Sequence, residues 1–180
     1  MKDDNTANIM IKPLNQFFSN DHRRIEDLLA TAIEDPNSVL MEYYLPFRVG
    51  LLTHIKMEEK ILFPIAQKFN GGVPHPLALK LRLDHGALTA LMVVPPTPEV
   101  IKVLNYILER HDILEEEPGG MYDICEDLVE GDTDEILEQL KNYKEVSLSP
   151  INAEPSIMEA VKRAVKMADL DFDTIANEVK

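Results

Sequence analysis

Apolar side chains recur along this chain at the three- and four-residue spacing of helices, with no alternating strand pattern between them. A first helix is predicted from Pro13, a residue favoured in the first turn because the N–H it lacks would find no partner there. Its stripe is Leu14, Phe17, Phe18, Ile25, Leu28, Leu29 and Ile33, and it stops before Pro36. A second, longer helix is expected from about Ser38 to Phe69, bent at Pro46 and closed by Gly71-Gly72. The third starts near Pro76, carries Leu77, Leu81, Leu88 and Met92 on one face, and ends at Pro95-Pro96. Thr97 caps a fourth, with Pro98 in its first position and Val100, Leu104, Ile107 and Leu114 as its stripe.

Pro118-Gly119-Gly120 interrupts or ends that fourth helix. An amphipathic stretch from Thr133 to Tyr143 follows, then a linker from Ser147 to Pro155. A short helical tail over 156–180 is built on Ile157, Met158, Val161, Val165, Ile175 and Val179. The fold expected is all-α: an antiparallel up-down-up-down four-helix bundle over 1–148, with linker and short C-terminal helices over 149–180. The amphipathic tail favours docking, on the bundle or on a protein partner such as a second copy.

A chain of 180 residues is long enough to bury a sizeable core. Its net charge of -14 repels phosphate backbones and anionic lipid, so nucleic acid and membrane are excluded as partners, while metal cations are attracted. Cys125 stands alone, so neither an internal disulfide nor a cysteine-only metal site can form. The start of the chain lacks the apolar core of a signal peptide, and no stretch reaches the roughly 20 apolar residues of a bilayer span. The expectation is a soluble cytoplasmic protein.

The histidines change the picture. His22 lies four residues after Phe18 and three before Ile25, so it shares their inward face. His54 follows Leu51 by three and precedes Glu58 by four. His85 sits between Leu81 and Leu88, and His111 follows Ile107 by four and precedes Glu115 by four. Each bundle helix thus aims one imidazole at the core, and two of them add a carboxylate one turn on. Imidazole nitrogen and carboxylate oxygen suit iron, zinc or manganese without any thiolate. A carboxylate has two oxygens and can bridge two metals, whereas two carboxylates buried without cations are costly.

The run His54-Ile55-Lys56-Met57-Glu58-Glu59-Lys60-Ile61-Leu62-Phe63-Pro64 resembles the second-helix signature of the hemerythrin-like, HHE cation-binding domain family. His111-Asp112-Ile113-Leu114-Glu115-Glu116 is similar to that family's fourth-helix motif, and Asn20-Asp21-His22 and Asp84-His85 fit its first- and third-helix histidines. The resemblance covers about residues 8–145. It implies a pair of non-haem iron ions with an oxo or hydroxo bridge: His22 and His54 on one, His85 and His111 on the other, Glu58 and Glu115 bridging. Oxygen carriers of the family show a second third-helix histidine one turn later, where this chain has Thr89. One metal is then a nitrogen ligand short, and water, another carboxylate or an exogenous ligand fills the gap. Glu59 and Asp84 are near enough to be considered, though helical geometry points them off the seam.

The function implied is binding or sensing of dioxygen, nitric oxide or peroxide, or iron handling, with no catalytic residue assigned. The alternatives are a di-iron oxidase or peroxidase, a zinc protein, and a histidine phosphotransfer bundle, which needs one exposed histidine. No histidine here has a glutamate three residues before it, which disfavours the ferritin-like di-iron enzymes. His75, between Pro74 and Pro76, reads as a surface loop residue; Cys125 as a packed small side chain; the acidic runs Glu115-Glu116-Glu117, Glu115 apart, and Glu126-Asp127 as mostly solvated faces. Tyr122 would reach the ligand seam only if the helix crossed the Gly-Gly break; core packing is the first reading and a place behind the metal ligands the second.

Overall fold

The computed structural model describes residues 12–35, 38–129 and 131–178; Pro36 and Val179 lie outside them. It is all-helical among those residues. Helix α1 spans Pro13–Ala32, with Pro13 in its first turn as expected. Helix α2, Met41–Met57, accommodates Pro46 in its interior and runs without a break in the chain path into a wide π turn, Glu58–Leu62, and then α3, Phe63–Phe69. Pro64 has no N–H, and its ring would collide with the carbonyl four residues back, that of Lys60. The widened turn, closed by Phe63 N–H donating to the Glu58 carbonyl, lets the path continue as helix. Gly71 and Gly72 end α3 with φ of 66° and 86°, a left-handed exit that side chains resist.

Helix α4 spans Ala78–Leu91 and α5 spans Pro98–Glu116, the latter capped by Thr97, whose hydroxyl accepts from Val100 N–H at 3.3 Å. The break at Pro118-Gly119-Gly120 ends α5, and α6, Met121–Leu128, turns back beside it. The approach is close. A Cβ on Gly120 would fall 2.8 Å from each of the carbonyls of Leu114, Glu115 and Glu117, so only glycine fits that joint. Helix α7 spans Thr133–Lys141, α8 Pro155–Met167 and α9 Phe172–Asn177.

Two apolar clusters fill the interior, one at each end of α1, α2, α4 and α5. One holds Ile25, Leu51, Ile55, Leu88 and Ile107; the other holds Phe18, Met57, Leu81, Tyr122 and Cys125. The tail docks within its own chain: Val161, Val165, Phe172 and Ile175 are buried in the first cluster, with α8 against α4 and α9 against α5. The segment between α7 and α8 is tied down by backbone contacts. Val146 N–H donates to the Thr53 hydroxyl at 3.1 Å, Arg48 to the Ser149 carbonyl at 2.9 Å, and Asn152 N–H to the Val93 carbonyl at 2.8 Å. No described helix is long and apolar enough to cross a membrane.

Candidate metal centre

Each of the four long helices passes from one apolar cluster to the other, and each carries its histidine at the crossing. On α1, His22 lies between Phe18 and Ile25; on α5, His111 lies between Ile107 and Leu114. The six predicted residues come together there. His22, His54, His85 and His111 are 6%, 2%, 3% and 3% exposed, and Glu58 and Glu115 are wholly buried. Glu58 reaches the centre from the first residue of the π turn.

The donors sort into two groups that share Glu115. Glu58, His85, His111 and Glu115 form one, and His22, His54 and Glu115 another. Glu58 Oε2 is 3.1 Å from His85 Nε2, while its Oε1 is 3.4 Å from His54 Nε2. Glu115 Oε1 is 3.1 Å from His111 Nε2, while its Oε2 is 3.4 Å from His22 Nε2. The two imidazoles of the first group stand 3.2 Å apart, Nε2 to Nε2. Each carboxylate therefore turns one oxygen to each histidine pair. Glu58 Oε2 and Glu115 Oε1 are fully buried and accept no hydrogen bond; their histidine neighbours are near but misdirected for one.

Behind each imidazole stands a carboxylate, and behind each carboxylate a cation. His54 Nδ1 is 2.9 Å from Asp21, which Arg24 holds. His85 Nδ1 is 2.8 Å from Glu59, which Arg82 holds at 3.1 Å. His22 Nδ1 is 2.6 Å from Glu116, which Arg23 grips. His111 Nδ1 is 3.6 Å from Asp84, an ion-pair distance rather than a hydrogen bond, and Lys80 holds Asp84 at 2.6 Å. Such partners fix ring orientation and turn Nε2 inward as the free donor, as they do for metal-binding histidines.

The electrostatics follow from burying these charges together. Burial alone would lower the His54 imidazole, but Glu58 and Asp21 outweigh it and push it up to about 10. His111 and His85 are raised for the same reason: burial opposes, and the carboxylate of Glu115 beside one and of Glu58 beside the other prevails. Glu58 is held well below the usual carboxylate range, against its burial, by His54 and His85. Without cations, Glu58, His54, His85 and His111 are thus each biased toward the charged form.

Three residues differ from their sequence reading. Tyr122 reaches the centre although the helix breaks, because α6 folds back at Gly120. Its hydroxyl donates to Glu58 Oε1 at 2.7 Å or Glu115 Oε2 at 2.9 Å, and lies 3.1 Å from both His22 Nε2 and His54 Nε2. Burial and those two carboxylates raise the phenol well above its ordinary value. Glu126 is not solvated: it is buried at the start of α1 and accepts from Leu14 N–H at 2.6 Å and Asn15 N–H at 3.2 Å, a negative charge at a helix N-terminus. His75 is buried rather than exposed, accepting from Leu77 N–H at 3.0 Å, away from the donor groups.

Thr89 is exposed, so α4 presents His85 alone to the centre. Cys125 is packed, its thiol 3.7 Å from Met121 Sδ and raised by burial. The roles of Asp21, Glu59, Asp84 and Glu116 had a sequence signal: each adjoins a donor, in two Asp-His and two Glu-Glu pairs. Neighbours on a helix are about 100° apart, so a residue beside a core donor lies on the flank that meets the next helix. The chain matches no protein-family model, no curated protein and no solved structure.

Proposed function

We propose that this chain is a hemerythrin-like protein in which α1, α2 with α3, α4 and α5 form an antiparallel four-helix bundle around a pair of non-haem iron ions. His22 and His54 hold one ion and His85 and His111 the other, with Glu58 and Glu115 spanning both. The observation that carries this reading is the division of each buried carboxylate between the two histidine pairs, with one oxygen of each left without a hydrogen-bond partner. An apolar core does not otherwise tolerate such oxygens. Nitrogen and carboxylate donors without thiolate suit iron, with zinc or manganese as substitutes.

When bound, the iron pair supplies reversible coordination and redox chemistry toward dioxygen, nitric oxide or peroxide. The protein's own part is to orient the four imidazoles through Asp21, Glu59, Asp84 and Glu116 and to keep bulk water out. A cavity of about 20 Å³ adjoins the centre, lined by His22, His54 and His111 and by Ile25, Leu51 and Ile55. That is room for one water-sized species. That size favours a small-molecule binder over an oxidase of larger compounds. Every histidine of the chain is buried, which argues against phosphotransfer.

The test is elemental analysis of protein purified from iron-replete cells, with absorption spectra recorded with and without oxygen. A pair of iron ions per chain, with bridge bands that change on reduction and reoxygenation, is expected. Protein that folds but carries no iron, and takes none on reconstitution, defeats the reading.

A further inference from the structure

We infer that Tyr122 is itself a ligand: its phenol oxygen caps the metal held by His22 and His54, and directs exogenous ligands to the opposite side of the centre. The inference rests on the metal reading above.

Its ground is geometric. Ligands bound about 2.1 Å from one octahedral ion have cis neighbours about 3.0 Å apart, because an octahedron's edge is its bond length times the square root of two. An apical vertex has four such neighbours. The Tyr122 oxygen has four donors around it, at 2.7 Å from Glu58 Oε1, 2.9 Å from Glu115 Oε2, and 3.1 Å from His22 Nε2 and from His54 Nε2. Two neighbouring pairs of those donors, His22 with Glu115 and His54 with Glu58, are each 3.4 Å apart, a little wider than that edge. The oxygens turned to the other histidine pair, Glu58 Oε2 and Glu115 Oε1, have no hydrogen-bond partner and so receive no hydroxyl. The centre is thus asymmetric in a way that the paired motifs do not suggest.

The ring is held in place rather than merely near. It stacks on Phe18 with centroids 5.0 Å apart. One turn on, Glu126 anchors α6 to the start of α1, and Asp123 accepts from the Asn15 side chain at 2.8 Å. On α1, Phe18 touches Tyr122 one turn before His22, while Ile25, one turn after it, lines the small cavity. Tyr122 and the cavity therefore lie on opposite sides of the His22 donor. With one side closed by the phenol, the cavity is the side left for a small molecule. On binding, the metal–oxygen bond replaces the phenolic O–H bond and the proton leaves to the buffer.

The test uses full-length protein, reconstituted with ferrous iron, oxidised, and assayed for iron content. A visible phenolate-to-iron(III) charge-transfer band is expected. Resonance Raman excited in that band should show tyrosinate ring modes that shift when the protein is made with ring-deuterated tyrosine. Tyr122→Phe should keep its iron and its helical circular dichroism but lose both signals. Iron bound in full with no tyrosinate modes overturns the ligand role and leaves the metal reading standing. No iron uptake overturns both. If Tyr122→Phe does not fold, the isotope shift in the unsubstituted protein decides alone.

Discussion

Removing the metal should cost stability by an amount set by the two orphaned oxygens. Glu58 Oε2 and Glu115 Oε1 are buried without a hydrogen-bond partner, and each such group costs about 1–3 kcal/mol. Cations that meet both oxygens remove about 2–6 kcal/mol of penalty from the folded state. For a chain of this length each kcal/mol moves Tm by roughly 2–4 °C, so loaded and chelated protein should differ by about 4–24 °C. Mass action gives the same scale independently: a ligand at a thousandfold excess over its Kd stabilises by about 4 kcal/mol. The assay is scanning calorimetry on one preparation, loaded, chelated, and loaded again. Stoichiometric metal with a change in Tm under about 2 °C refutes the reasoning, because it means the ion sits where these oxygens do not meet it.

Three further outcomes are expected. In the metal-free protein the folded state holds a proton on His54 up to about pH 10, whereas an unfolded chain releases it near 6.5. That stabilisation is complete below 6.5 and is lost as pH rises toward 10. Glu58, lowered from 4.5, contributes stability that is lost as pH falls below 4.5. Thermal melts of chelated protein should therefore peak between these two limits and decline on the alkaline side, a decline that metal suppresses. Glu116→Gln removes the anion behind His22 and should weaken metal binding about 10–100-fold in a chelator competition, with circular dichroism unchanged. An unaltered affinity would show that the contact is only a surface ion pair. Gly120→Ala forces a Cβ against three carbonyls and should cost about 1–3 kcal/mol in urea unfolding, and it should weaken metal retention by displacing α6 with Tyr122. Full metal retention in that variant would detach the α5–α6 joint from the centre.

The helices and the inward placing of the four histidines and two glutamates were legible because both are periodic. Phe18, His22 and Ile25, or Ile107, His111 and Leu114, announce an inward stripe with a polar residue in it, and the structure sets those residues between its two apolar clusters. Prolines marked the boundaries well: Pro13 and Pro98 each open a helix. Pro64 did more than a boundary residue, because its misfit is absorbed one turn earlier, at the π turn that begins on Glu58. Periodicity within one helix carries no information about that adjustment. Nor does it show the carboxylates behind the imidazoles, since those contacts run between residues 26 to 94 positions apart, as His85 to Glu59 and His22 to Glu116 are.

Those between-helix contacts nonetheless follow one rule. Asp21 on α1 orients His54 on α2; Glu59, beside Glu58, orients His85 on α4; Asp84 on α4 faces His111 on α5; Glu116 on α5 orients His22 on α1. Each long element supplies one inward histidine and one anion for the next element's histidine, so the ring closes on itself. A helix that shifted or rotated would lose its own donor from the centre and its neighbour's orienting partner together. Tyr122 stands outside that rule. It comes from α6, after the ring has closed, through a break that reads as an end of structure and is held by a glycine chosen for close approach and not for its φ of -72°. The repeat builds a nearly symmetric donor set, and this single added side chain is what makes its two halves chemically different.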